Sequence, residues 1–108
     1  MRALLTIILL VSFATSGTSL AEGEPGRGKK VFKKCKACHS IIENKHKIGP
    51  SLYKVVGRQA GTAEGYKRYR GLKGAEWVWT ENILDEFLKN PKKFVKKKAK
   101  KRSSMVLK

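Results

Sequence analysis

Cys35-Lys36-Ala37-Cys38-His39, at the end of the run GKKVFKKCKACH (Gly28–His39), is the stretch that decides this sequence. Two thiols at i and i+3 on a helix end point to the same side. There they can add to the two vinyl groups of a haem and form thioether bonds, and the adjacent His39 can reach the iron as the proximal ligand. C-x-x-C-H is the spacing of c-type haem attachment. Three plainer readings compete. A thiol–disulfide centre belongs in a βαβ pattern, and no strand pattern is visible in this chain. A structural zinc would need four ligands; Cys35, Cys38, His39 and His46 give the count, but six residues separate the histidines, unlike finger spacings. A simple disulfide would close a tight and often reactive loop.

Upstream of the motif, Gly28, Val31, Phe32 and Cys35 recur at spacings of three and four, which predicts a helix over about 26–37. Pro25 suits its first turn. Glu22 and Glu24 lie at the positive end of its dipole, and Lys33, Lys34 and Lys36 toward the negative end. Before it, MRALLTIILLVSFATSGTSLA has a basic start, an apolar run and small residues at Ser19 and Ala21. That is the layout of a secretory signal. The apolar run is shorter than the roughly 20 residues of a spanning helix. The expected division is therefore a signal peptide over 1–21 and one domain over 22–108, exported to an oxidising compartment. So short a domain buries only about 60–65% of its unfolded surface and needs a staple. A lone disulfide, a metal or a large apolar cofactor would each supply one.

Downstream, residues 40–75 carry Gly49, Pro50, Gly57, Gly61, Gly65, Gly71 and Gly74. This density of breakers predicts loops, with one helical turn near 51–56. So long an irregular segment is reasonable if it wraps something rigid. Thr80 is a good N-cap with Glu81 behind it. Ile83, Leu84, Phe87 and Leu88 form an apolar stripe, Asp85 and Lys89 an i,i+4 pair, and Asn90–Pro91 a stop. Positions 92–102 then hold eight Lys/Arg in eleven residues.

The 108 residues carry a formal charge of +17, 41% hydrophobic residues and two cysteines. These values exclude a multi-span membrane protein, a fully disordered chain and a disulfide-dense scaffold. For the far side of a His39-bound iron the candidates are Met105, His46, a lysine or nothing. Once Met1 leaves with the signal, Met105 is the methionine that remains. A thioether ligand favours ferrous iron, and a six-coordinate iron has no vacancy for oxygen or peroxide.

With these residues in view, the sequence resembles class I cytochrome c of the bacterial soluble and mitochondrial kind, from about Gly28 to Met105. The resemblance implies an all-α fold of helices and long loops wrapped around one covalent haem c. Cys35 and Cys38 would be its attachment points, His39 and Met105 the axial iron ligands. HKIGPSLYKVVGRQAG (His46–Gly61) looks like the family's proximal loop. In it His46 would tie loops together without ligating, Pro50 would orient the axial imidazole and Arg58 would lie near a haem propionate. Trp79 would cover the haem and bond a propionate; Tyr66 and Tyr69 are further propionate candidates. LDEFLKNPKKF (Leu84–Phe94) resembles the family's middle helix and its proline stop, and RSSM (Arg102–Met105) its longer methionine loop. Phe87 stands where many relatives have a tyrosine near the methionine sulfur. The family closes with a C-terminal helix that crosses the first helix, whereas this chain stops three residues after Met105. The expectation is a domain lacking that helix, with Gly28 and Phe32 deprived of their partner and a labile Met105 bond.

The functional expectation is a periplasmic one-electron carrier between a cytochrome bc complex and a terminal oxidase or photosynthetic reaction centre. A mitochondrial intermembrane location is the lesser alternative. The positive charge would steer the protein to acidic docking surfaces on membrane redox complexes. Lys33, Lys34, Lys36, Lys54 and the 92–102 run are the candidate contacts. The expected protein is a monomer, not an enzyme, with only peripheral membrane contact. Export argues against a nucleic-acid partner for this basic tail, and the tail lacks an apolar face long enough for a membrane binder. A weak haem peroxidase is the rival from another class, should Met105 not ligate.

Overall fold

A computed structural model describes residues 23–105; the expected targeting segment over 1–21 lies outside the described residues. Three helices carry the chain: α1 (Pro25–Cys35), α2 (Glu81–Lys89) and α3 (Pro91–Ala99). The described residues hold no strand, only an isolated antiparallel bridge between Gln59 and Val78. The all-α expectation therefore holds, and none of the described helices is long and apolar enough to cross a membrane.

α1 begins where Pro25 fixes the backbone and the Glu24 carboxylate accepts from the amides of Gly26 and Arg27. It stops at Cys35, two residues before the expected end, with Lys36 as its C-cap. The reason lies in the next turn. The Cys38 amide donates three residues back, to the Cys35 carbonyl at 3.0 Å, and the His39 amide shares that carbonyl at 2.8 Å, so the last turn tightens and the regular ladder ends. The apolar face of α1 meets no other helix among the described residues. Val31 is 61% exposed, and a side chain at Gly28 would stand in open space.

Thr80 caps α2 as expected by accepting from the Ile83 amide. Asn90 ends α2 and caps α3, its side chain accepting from the Lys93 amide at 3.0 Å. The basic run is thus no simple tail, a correction to the reading by charge. Pro91, Phe94 and Val95 are buried and Ala99 half-buried, so spacings of three and four form an apolar stripe. Lysines point outward, and those of the last turn favour the negative end of the dipole. Lys100, at φ 56°, closes the helix in the left-handed region.

The core lies where α2 and α3 meet the loops. Trp79, Phe87, Phe94, Val95, Ala60 and Ala75 are buried together. Ring centroids 4.9 Å apart join Trp79 to Phe87, and Phe87 meets Phe94 edge-on at 5.6 Å. Around this core the chain has no regular structure between 36 and 80. The helical turn expected near 51–56 is instead a hydrogen-bonded turn from the Val55 amide to the Leu52 carbonyl. The Gly57–Ala60 and Trp77–Trp79 segments are tied by three backbone hydrogen bonds of 2.7–2.9 Å.

Candidate functional site

The residues after the motif are stitched back onto it. The Gly49 amide donates to the Cys38 carbonyl at 2.7 Å, and the Leu52 amide to the Ser40 carbonyl at 2.8 Å. This places the Pro50 carbonyl 2.7 Å from His39 Nδ1, which donates to it. The bond fixes the proton on Nδ1 and leaves the Nε2 lone pair free for a metal. Gly49 makes room for the ring: a Cβ there would lie 2.7 Å from both imidazole nitrogens.

His46 is the opposite case. Its Nε2 donates to the Glu64 carbonyl at 2.6 Å, and its Nδ1 accepts from the Ser51 amide at 3.0 Å. Both nitrogens are engaged, so His46 holds loops together and has no lone pair to offer. Cys35 and Cys38 are free thiols, each half-buried. Among the described residues no three His, Cys, Asp or Glu converge as metal ligands. A zinc would need His46 as its fourth ligand, and both of its nitrogens are engaged, whereas a motif that bonds carbon through sulfur needs only these two thiols and one imidazole.

Arg58 is held by its backbone neighbours, one terminal nitrogen donating to the carbonyls of Ser51 (3.0 Å) and Tyr53 (3.2 Å). Its Nε is buried without any partner. A buried guanidinium donor without an acceptor costs free energy. The carboxylate of a bound group would satisfy it. Tyr69 is half-buried beside Arg58, and burial raises its phenol above the ordinary 10.0. Its hydroxyl accepts from the Ala63 amide at 3.1 Å, so its proton remains available. The Tyr66 hydroxyl instead donates to the Ile48 carbonyl at 2.6 Å and has used its proton. The two rings meet edge-on at 4.8 Å.

Trp79 is buried in the aromatic core, and Met105 is half-buried against the same core. His39 is held by the loop around Pro50, so the two expected iron ligands belong to different parts of the fold. The structure adds one residue that the sequence reading passed over. Trp77 stands edge-on to Trp79 at 5.9 Å, and its Nε1 is buried without a partner. The alternation in Glu76-Trp77-Val78-Trp79 was the available signal, because residues two apart in an extended segment share a face.

These features fit a haem: two thiols, an oriented imidazole, a thioether on the core and an unsatisfied arginine donor. The comparisons agree. The profile of the family described as Cytochrome c matches residues 26–105. Cytochrome c-554 of Methylosinus trichosporium is 42% identical over 92 residues, covering 83% of this chain and 70% of that protein. Cytochrome c2 of Rhodomicrobium vannielii is 34% identical over 96 residues, with 88% and 77% covered. The structure of cytochrome c2 from Rhodospirillum centenum superposes with a TM-score of 0.70 at 35% identity, covering 80% of this chain and 84% of that one. The chain belongs to the cytochrome c family, whose cofactor is a covalently bound haem c, and its Cys35 and Cys38 fit the attachment motif.

Proposed function

We propose that the protein is a periplasmic one-electron carrier with His39 and Met105 as axial ligands, exchanging electrons with membrane redox complexes through its lysine-rich surface. When bound, the haem supplies reversible one-electron chemistry. The residues of the chain determine how that chemistry is used. Cys35 and Cys38 tether the group, so it is not lost between partners. His39 offers Nε2 because Pro50 holds Nδ1. Met105, half-buried against the aromatic core, would supply the second ligand and so close the position that oxygen or peroxide would otherwise take. Arg58 through its free Nε, Tyr69 through its free proton, and Trp79 are the proposed donors to the propionates. Between the two tyrosines, the spent proton of Tyr66 favours Tyr69. A cytochrome bc complex on one side and a terminal oxidase or reaction centre on the other are the proposed partners.

The observation that carries this reading is the 2.7 Å bond from His39 to the Pro50 carbonyl, set against a His46 with both nitrogens engaged. The test is co-expression with a haem-maturation system followed by optical spectra of both oxidation states. Low-spin haem with a sulfur-to-iron charge-transfer band is the expected result. High-spin ferric haem would overturn the carrier reading in favour of a peroxidase-like protein.

A further inference from the structure

Two stretches about thirty residues apart grip each other just before Met105. Gly71 is buried between α3 and the segment that leaves it. A Cβ on Gly71 would collide with the Arg102 carbonyl and lie 2.7 Å from Val95 Cγ1, on a residue with no exposure. Beside this contact, Lys101 Nζ donates to the Lys73 carbonyl at 2.8 Å. The 71–74 turn is itself held from behind, because a Cβ on Gly61 would collide with the Leu72 carbonyl. Gly61 is three residues from Arg58. A continuous set of close contacts therefore runs from the Arg58 segment through Leu72 and Gly71 to Arg102. Within the last stretch, the Met105 amide donates to Ser103 Oγ at 3.1 Å.

We infer that Lys101 and Gly71 are positioning residues for the Met105 thioether: they latch the 100–105 segment onto the 71–74 turn and so keep the sulfur on the iron. The inference rests on Met105 being a ligand. Residues 100–105 form no helix, and the chain turns at Lys100, at φ 56°. Its position is set by what it touches. A side chain donating to a carbonyl on another loop restrains the chain without occupying the site. A glycine with no Cβ allows the two backbones to meet, and no larger residue can do so without moving one of them.

The test is titration of the ferric holoprotein with imidazole, which competes with the thioether for the iron, followed at the sulfur-to-iron charge-transfer band. Lys101→Ala removes one hydrogen bond and should raise the apparent imidazole affinity about two- to tenfold, the worth of one such bond. Lys101→Arg, which still donates to a carbonyl, should restore the parent affinity. Gly71→Ala should raise the affinity further, or abolish the band at neutral pH. Lys101 is exposed, so its variants fold even if Gly71→Ala does not. A parent protein that shows the band, yet whose imidazole affinity is indifferent to Lys101→Ala, overturns the latch alone. A parent that lacks the band, with a spectrum unchanged by Met105→Leu, overturns the ligand assignment and the latch with it.

Discussion

His39 Nδ1 donates to the carbonyl of Pro50 at 2.7 Å, and Gly49 lies against the face of the same ring. The imidazole is held by backbone, not by another side chain. A substitution that adds bulk to that backbone is therefore the direct probe of ligand orientation. Gly49→Ala should destabilise the holoprotein by about 1–3 kcal/mol, the usual cost of forcing an extra methyl into a packed place. Gly28→Ala is its counterpart. A Cβ at Gly28 meets nothing, and in a helix interior the change should stabilise by about 0.8–1 kcal/mol. Denaturant melts of both variants check this. A destabilising Gly28→Ala would mean that something covers that face of α1.

Covalent attachment predicts a graded response to loss of sulfur. Either Cys35→Ala or Cys38→Ala alone should leave haem that survives denaturation, held by one remaining thioether. The double variant should release it completely into acidified organic solvent. Haem-stained denaturing gels and intact mass give the answer. Haem retained by the double variant would contradict thioether bonding through these two residues.

How much of this was legible in the residues depends on the signal each carried. The haem motif, the Thr80 cap and the Asn90–Pro91 break were readable because each is a local rule that tertiary contacts did not override. Eight basic residues over 92–102 mask α3, because Pro91, Phe94, Val95 and Ala99 keep helical spacing beneath the charge. Periodicity runs α1 two residues too far because it cannot register that the Cys38 and His39 amides share the Cys35 carbonyl. Sequence could name Tyr66 and Tyr69 as alternatives, but only hydrogen-bond partners separate them. The approach of Gly71 to Arg102 has no signature in sequence beyond the glycine itself.

The hidden stripe of α3 makes its own prediction. Phe94 contacts Trp77, Trp79 and Phe87 at centroid distances of 5.6–6.2 Å. Phe94→Ala should cost about 3–5 kcal/mol. Lys96→Ala, on the exposed side of the same helix, should change stability by less than about 0.5 kcal/mol. If thermal melts gave equal losses, the basic run would not be packing as a helix on the core.

Burial raises the Tyr69 phenol above 10.0, and the nearby Arg58 and the Ala63 amide only partly offset this. The neutral phenol is favoured in the folded state. Its contribution to stability is therefore complete below pH 10.0 and is lost as pH climbs through the folded value. Tyr69→Phe should leave a shallower decline of stability above pH 10.0 than the parent shows. Chemical denaturation across that range measures the difference, and identical slopes would remove the buried phenol from the account.

The surface charge is open to a kinetic test. Lys33, Lys34 and Lys36 follow one another at the motif end of α1, and Lys92, Lys93, Lys96, Lys97 and Lys98 cover the outer side of α3, all exposed. If these lysines steer the protein to an acidic partner, the second-order rate with a membrane oxidase must fall as salt shortens the screening length from about 10 Å at 0.1 M to about 3 Å at 1 M. Steering of this kind typically raises association about 10- to 1000-fold, so the decline should be of that order. Replacing Lys96 and Lys97 by Gln should lower the rate at low salt and flatten its salt dependence, while leaving the optical spectrum unchanged. Any loss confined to the spectrum would place the lysines in the fold, not at a docking face. A rate indifferent to salt would leave the charge without a role in partner encounter.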